Sequence, residues 1–356
     1  MIREAQTSLG VEPVGPAAQR PVLSRLDHML GALFGLWMIV GLFLDGWAHD
    51  NQKPESFFTP WHGVLYSGFA AAAAFALDRA LRDREPGRPM RETMPRGHGL
   101  TLVALAVFGV AATGDLAWHE LFGIEVGLEA LLSPTHLLLM ASGLVALSAP
   151  VRAAWLDLDE EPSSREFLPV ALAVALETAL VAFFLSFFSP FSNNAAGTAF
   201  SRRQGQEHSH PSSDVHELQQ LVGVGSILLM SVVIAGAVAL LLRRWRTPAG
   251  TLSLLFGLLV VLFTGTDDFA QPLVLLAGLA AGVAGDALVR WRAPAAYVSA
   301  GSIAVLWLSY FALYAIDEGS VSWSAEVWAG TAFLSALLAG GIGLLVTPLP
   351  RTATER

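Results

Sequence analysis

Two stretches of this chain set acid and imidazole side chains at spacings that suit metal chemistry. The first reads Leu44-Asp45-Gly46-Trp47-Ala48-His49 and, after a loop, Phe58-Thr59-Pro60-Trp61-His62. The second reads Gly114-Asp115-Leu116-Ala117-Trp118-His119 and later Leu132-Ser133-Pro134-Thr135-His136. Both follow Asp-x-x-x-His, a loop, then [Ser/Thr]-Pro-x-His. An acid and a histidine four residues apart share one face of a helix. Thr59 and Ser133 suit the N-cap of the next helix, and Pro60 and Pro134 its first position. His62 and His136 then fall in a first turn, where the helix dipole favours the neutral ring that binds metal. Each hairpin thus offers one carboxylate and two imidazoles, a ligand set that leaves coordination positions open. The expected metal ligands are Asp45, His49, His62, Asp115, His119 and His136. A proton relay of aspartate and histidine fits the same residues, because ionisable groups in a membrane serve either purpose. No catalytic residue is assigned.

The chain has no cysteine, which excludes disulfides, thiolate nucleophiles and thiolate-held zinc, haem or iron–sulfur centres. Nitrogen and oxygen ligands suit copper, zinc, iron, nickel or manganese. No basic aromatic patch of the kind that holds nucleic acid is present.

The elements that must carry these residues are membrane helices. Hydrophobic residues make up 54% of the 356, charged ones only 14%, and mean hydropathy is +0.54. Soluble domains carry roughly 25% charged residues. Ten apolar runs approach the roughly 20 residues that a helix needs to cross a bilayer: 28–49, 60–81, 99–119, 134–155, 167–188, 217–242, 250–267, 272–290, 295–316 and 325–347. The fold class is therefore all-α, a polytopic transmembrane bundle of about ten helices with the lipid bilayer as its main partner.

Basic residues set the expected orientation. Of the 21 lysines and arginines, all but Lys53, Arg202 and Arg203 fall on one side of this ten-span plan. The positive-inside rule puts that side, and both termini, in the cytoplasm of a multi-pass cell-membrane protein. The Asp/His clusters then lie at the extracytoplasmic side. The expected organisation is a cytoplasmic tail over 1–26 and a membrane core with the duplicated hairpins over 27–245. A further four-helix membrane region over 246–348 and a short tail over 349–356 complete it.

Other polar residues are accessory candidates. Glu125 and Glu129 follow the third helix and read first as solvated loop acids, with acceptors for ligand N–H groups as the alternative. Glu177, in mid-membrane, is expected to face the bundle, as a proton-path group or hydrogen-bonded to neighbouring helices. His208, His210 and His216 lie in the longest outer loop, where a His-rich tract can capture metal or simply be solvated. Asp267 and Asp268 read as a turn pair, Asp78 and Asp286 as ion-pairing groups, and His28 and His98 as interfacial residues on the arginine-rich side.

Over residues 45–136 the chain resembles the C subunit of the copper membrane monooxygenases, the particulate methane and ammonia monooxygenase family. That subunit carries Asp-x3-His-x12-His with its last histidine in a Phe-Thr-Pro-x-His run. Asp45, His49 and His62 have this spacing, and Phe58-Thr59-Pro60-Trp61-His62 has this run. A second family set begins with Asn, where Asp115 stands here, and the gap from His119 to His136 is longer. The resemblance implies copper first at these residues, zinc or iron being the alternatives, and oxidation of a small apolar substrate together with partner membrane subunits. Capture, delivery or transport of copper or zinc, and metal-free proton-coupled transport, are the alternatives that the residues leave open.

Overall fold

A computed structural model describes residues 20–53, 58–82, 84, 86, 87, 89–123, 128–191 and 213–346. Ten long helices account for the described membrane part: α1 (Arg25–Asp50), α2 (Pro60–Arg82), α3 (Thr101–Phe122), α4 (Pro134–Asp157), α5 (Ser164–Phe184), α6 (Ser213–Arg244), α7 (Thr251–Thr266), α8 (Leu275–Arg290), α9 (Ala295–Glu318) and α10 (Ala325–Leu345). No strand occurs among the described residues. Nine of these spans are long and apolar enough to cross a membrane, α8 being extended by the short 3-10 turn Pro272–Val274; α7, at 16 residues, is shorter. The chain is thus an all-α, multi-pass integral membrane protein. One-turn helices at Met90–Thr93 and Leu128–Leu132 lie in the connections before α3 and before α4.

Side chains cap several helix starts, Ser133 among them as the sequence expects. Ser24 and Asp27 form a capping box at α1, as Ser163 and Glu166 do at α5. Ser133 caps α4 by accepting from the His136 N–H, with Pro134 opening the helix. Pro150 has no N–H to donate, and α4 breaks for one residue at Ser148 before running on as Ala149–Asp157.

Close approach of α1 and α2 rests on two glycines. A Cβ on Gly68 would come within 2.7 Å of the Met38 backbone nitrogen, and one on Gly41 would collide with the Leu65 backbone. Small residues that let backbones meet drive helix pairing in lipid, where apolar contact alone gives little preference. This seam brings the end of α1 against the beginning of α2, and so Asp45 toward His62.

Helix α5 is the most buried span and packs against α1, α4, α6 and α7. The last four helices do not stand apart from the rest. Phe43 of α1 packs edge-on to Phe183 of α5 and Phe263 of α7, with ring centroids 5.0 and 5.1 Å apart. Trp307 of α9 donates its indole N–H to Ser231 Oγ of α6 at 2.7 Å. Tyr310 donates to the Pro190 carbonyl at 2.9 Å.

Charged pairs gather at the arginine-rich end: Arg79 with Asp27 and Asp78, Arg82 with Asp78, Arg96 with Asp157, and Arg246 with Glu161. Among the described residues, Asp286 makes no ion pair of the kind expected of it. Its carboxylate accepts from the backbone N–H groups of Gly250, Leu252 and Ser253 and from Ser253 Oγ, at 2.7–3.1 Å. It therefore caps the start of α7 from a neighbouring helix, satisfying donors that a helix cannot satisfy itself.

Candidate metal centre

At the opposite end, the two hairpins place their acid and imidazole groups as the spacing predicts. Asp115 near the end of α3 is almost wholly buried, at 1% exposure. His119 Nε2 lies 3.4 Å from its Oδ2, and His136 Nε2 of α4 lies 3.4 Å from its Oδ1. One ligand atom from each of the three residues falls within 4.8 Å of the others. With metal–ligand bonds of roughly 2.0–2.2 Å, an ion held between atoms 3.4 Å apart subtends roughly 110°, an ordinary coordination angle.

In the first hairpin Asp45 likewise stands between two rings. His49 Nε2 is 3.6 Å from its Oδ2 and His62 Nε2 is 3.4 Å from its Oδ1. Among the described residues, only the second set closes to the tighter spread. The first set is the looser one, and its His49 is the most exposed of the four histidines, at 32%. Asp45 Oδ1 is nevertheless buried and has no hydrogen-bond partner among the described residues. A buried carboxylate oxygen with an unused lone pair is a costly group unless a cation meets it.

The cap residues hold the rings. Ser133 Oγ lies 2.8 Å from His136 Nδ1 and accepts from the His136 backbone N–H at 3.2 Å. Thr59 Oγ1 repeats this on His62, 3.1 Å from Nδ1 and 3.4 Å from the backbone nitrogen. One hydroxyl thus starts the helix and orients the ring, so that Nε2 faces the acid. Thr135 Oγ1 contacts Ser133 Oγ at 3.1 Å and donates to Asp115 Oδ1 at 2.8 Å, which fixes the carboxylate as well. Outer partners of this kind set tautomer and orientation in metal sites.

His119 is the most informative ring. Its Nδ1 lies 3.3 Å from the carbonyl oxygen of Gly123, whose φ of +84° ends α3. A carbonyl only accepts, so Nδ1 carries the proton in this bond. Nε2 then faces the Asp115 carboxylate either with a lone pair or with a second proton. A lone pair opposite a carboxylate calls for a cation between them.

Both sets open on one cavity of about 50 Å³. Asp45, His62, Asp115 and His136 line it together with Tyr66, and the remainder of its wall is apolar, including Met38, Phe108 and Leu139. The sequence predicts two separate clusters. That they share one chamber follows from how the hairpins pack, with Phe69 of α2 stacked on Phe108 of α3 at 4.9 Å.

The accessory candidates fare differently. Glu177 is half-buried on α5 and does not line this cavity; Arg152, toward the arginine-rich end, is the charged group that acts on it. Glu125, His208 and His210 lie outside the described residues. Glu129 and His216 fall in helices, at Leu128–Leu132 and at the start of α6, and their side chains lie outside the described part. Asp268 exceeds its expected part as one of a turn pair. With φ of +52°, it accepts the Trp47 indole N–H at 2.7 Å, between Asp45 and His49 in sequence. Nothing in the local sequence signals that contact, which spans 221 positions.

No family model, curated protein or solved structure matches the chain.

Proposed function

We propose that this integral membrane protein binds copper at its paired Asp/His/His sets and, with partner membrane subunits, oxidises a small apolar substrate. The observation that carries the reading is the opening of both sets onto one largely apolar chamber. Each set aims two imidazoles at one carboxylate. The imidazole and carboxylate donors, with no thiolate in the chain, suit copper in its oxidised form, and zinc and iron as competitors. The residue pattern over 45–136 resembles that of the copper membrane monooxygenase C subunit, which supports copper and supports an apolar substrate. The arginine distribution supports an extracytoplasmic position for the chamber. Bound copper would supply redox chemistry there. The chain's own residues orient the ligands through Ser133, Thr59 and Gly123, and the apolar wall disfavours charged guests.

Metal analysis and substrate turnover test this. Protein purified in mild detergent and loaded with Cu(II) is expected to retain copper with nitrogen and oxygen ligands by electron paramagnetic resonance. Asp115→Ala and Asp45→Ala should each lose a part of it, and Asp115→Asn less. Oxygen-dependent loss of a small hydrocarbon in membranes that hold the partner subunits supports the oxidase reading. Copper binding without turnover redirects the function to metal capture or delivery. Protein that retains neither copper nor zinc leaves Asp115 and its histidines as a proton relay and overturns the proposal.

A further inference from the structure

A second cavity of about 60 Å³ occupies the arginine-rich end of the same helices. Its wall is mostly apolar, with Ala72 and Phe75 from α2, Leu102 and Leu105 from α3 and Leu176 from α5. Five polar side chains interrupt it: Asp27, His28, Arg79, His98 and Thr101, whose hydroxyl accepts from Arg152 at 3.1 Å. His28 opens α1 and His98 precedes α3, and their rings stack with centroids 5.3 Å apart and planes 29° from parallel. His28 Nδ1 and His98 Nε2 are both buried and have no hydrogen-bond partner among the described residues. Buried polar atoms are ordinarily bonded, and two unused ring nitrogens on side chains that line one cavity point to a shared guest.

The chemistry of that guest follows from what the cavity offers. Arg79 is already paired with Asp27 at 3.1 Å and with Asp78 at 2.8 Å, so no free charge faces inward from it. Burial, followed by the neighbouring His28 and Arg152, pushes His98 down to about 3, and its ring is neutral at physiological pH. A charged head would meet no counter-ion. A chelated metal is also a poor fit. Rings stacked nearly in parallel send their in-plane nitrogens side by side, and the three-ligand group among the described residues is at the other end. What remains is one neutral donor or acceptor on each ring, within an apolar wall. Ala72, Phe75 and Leu102 are only half-buried, so the wall between α2 and α3 is thin toward the lipid-facing surface.

We propose that this cavity takes the hydroxyl head of a neutral apolar molecule from the bilayer, with His28 and His98 as its hydrogen-bond partners. The enclosed volume holds a head of a few heavy atoms, and the tail stays between α2 and α3. This site is independent of the metal reading.

A matched pair of probes tests it: 4-octylphenol, which carries a hydroxyl, and 4-octylanisole, which has the same apolar body with no donor. Full-length protein in detergent is expected to show a saturable rise of its thermal midpoint with the phenol and little with the ether, by mass action. The phenol should also stay bound through gel filtration, as read by mass spectrometry. His98→Phe should weaken the phenol at least about tenfold, the effect of losing one buried hydrogen bond. Ala72→Leu narrows the cavity without touching either imidazole, and it should abolish the response even if His98→Phe fails to fold. His136→Ala, at the far end, should leave the response intact. An equal response to both probes, no response in the wild type, or an unchanged response in Ala72→Leu overturns the proposal.

Discussion

Ser133 and Thr59 each serve a helix and an imidazole with one oxygen. Removing that oxygen should therefore have two measurable effects. Ser133→Ala is expected to lower stability by about 1 kcal/mol through loss of the cap, seen as a lower thermal midpoint in detergent. It should also weaken metal binding at the second set by roughly 10–100-fold, since the ring loses the group that aims it. Ser133→Thr should restore both, and competitive titration against a chelator reads the second effect. A mutant that loses stability but keeps full affinity would show that the hydroxyl only caps. His98 gives a residue-scale pH dependence of known sign. Its folded value of about 3 lies below the ordinary 6.5, so the unfolded chain takes up a proton between these values and the folded chain does not. Stability is full above about pH 6.5 and falls as pH drops from there toward 3. His98→Gln should flatten part of that fall between pH 7.5 and 5, with Asp27, His28, Arg79 and Arg152 still in place.

Between elements, the structure adds contacts that no local pattern announces. The repeat of Asp-x-x-x-His and [Ser/Thr]-Pro-x-His is visible because helix periodicity and capping are short-range rules, and those rules place each acid near its two rings. The link from Trp47 to Asp268 depends on the packing of α7 beside α1, which is a property of tertiary fit. The same is true of Asp286, whose sequence neighbours suggest an ion pair while three backbone N–H groups at the start of α7, those of Gly250, Leu252 and Ser253, claim it. The link makes Asp268 a positioning residue for the first set. Asp268→Ala should free the Trp47 indole and weaken metal binding by Asp45, His49 and His62 severalfold, while Asp268→Asn retains an acceptor and most of the affinity. Because the second set has its own anchors in Thr135 and Gly123, a two-phase metal titration should show only the weaker phase moving. Movement of both phases would mean that the two sets are not held separately.

On the scale of the whole molecule, the ten apolar helices, nine of them long enough to cross a membrane, are legible from hydropathy alone, since lipid demands long apolar helices whatever the tertiary fold. The cavities are not legible, because they are the spaces left between helices whose mutual approach is set by contacts such as Gly41 with Leu65 and Gly68 with Met38. Orientation is the whole-molecule property that arginine predicts and that chemistry can test. A chain without cysteine is a clean background for labelling. In intact cells, Gln52→Cys and Ser320→Cys should react with a membrane-impermeant maleimide, and Pro86→Cys only after the membrane is opened. The reverse pattern would move the Asp/His chamber to the cytoplasmic face. One side chain joins the two ends of this architecture: Met38 borders both the chamber of the Asp/His sets and the cavity of the stacked histidines. A thioether on three rotatable bonds is a yielding partition, more a bulkhead of putty than of steel. The two compartments thus share a single movable wall, and one flexible side chain is all that this wall has in common between them.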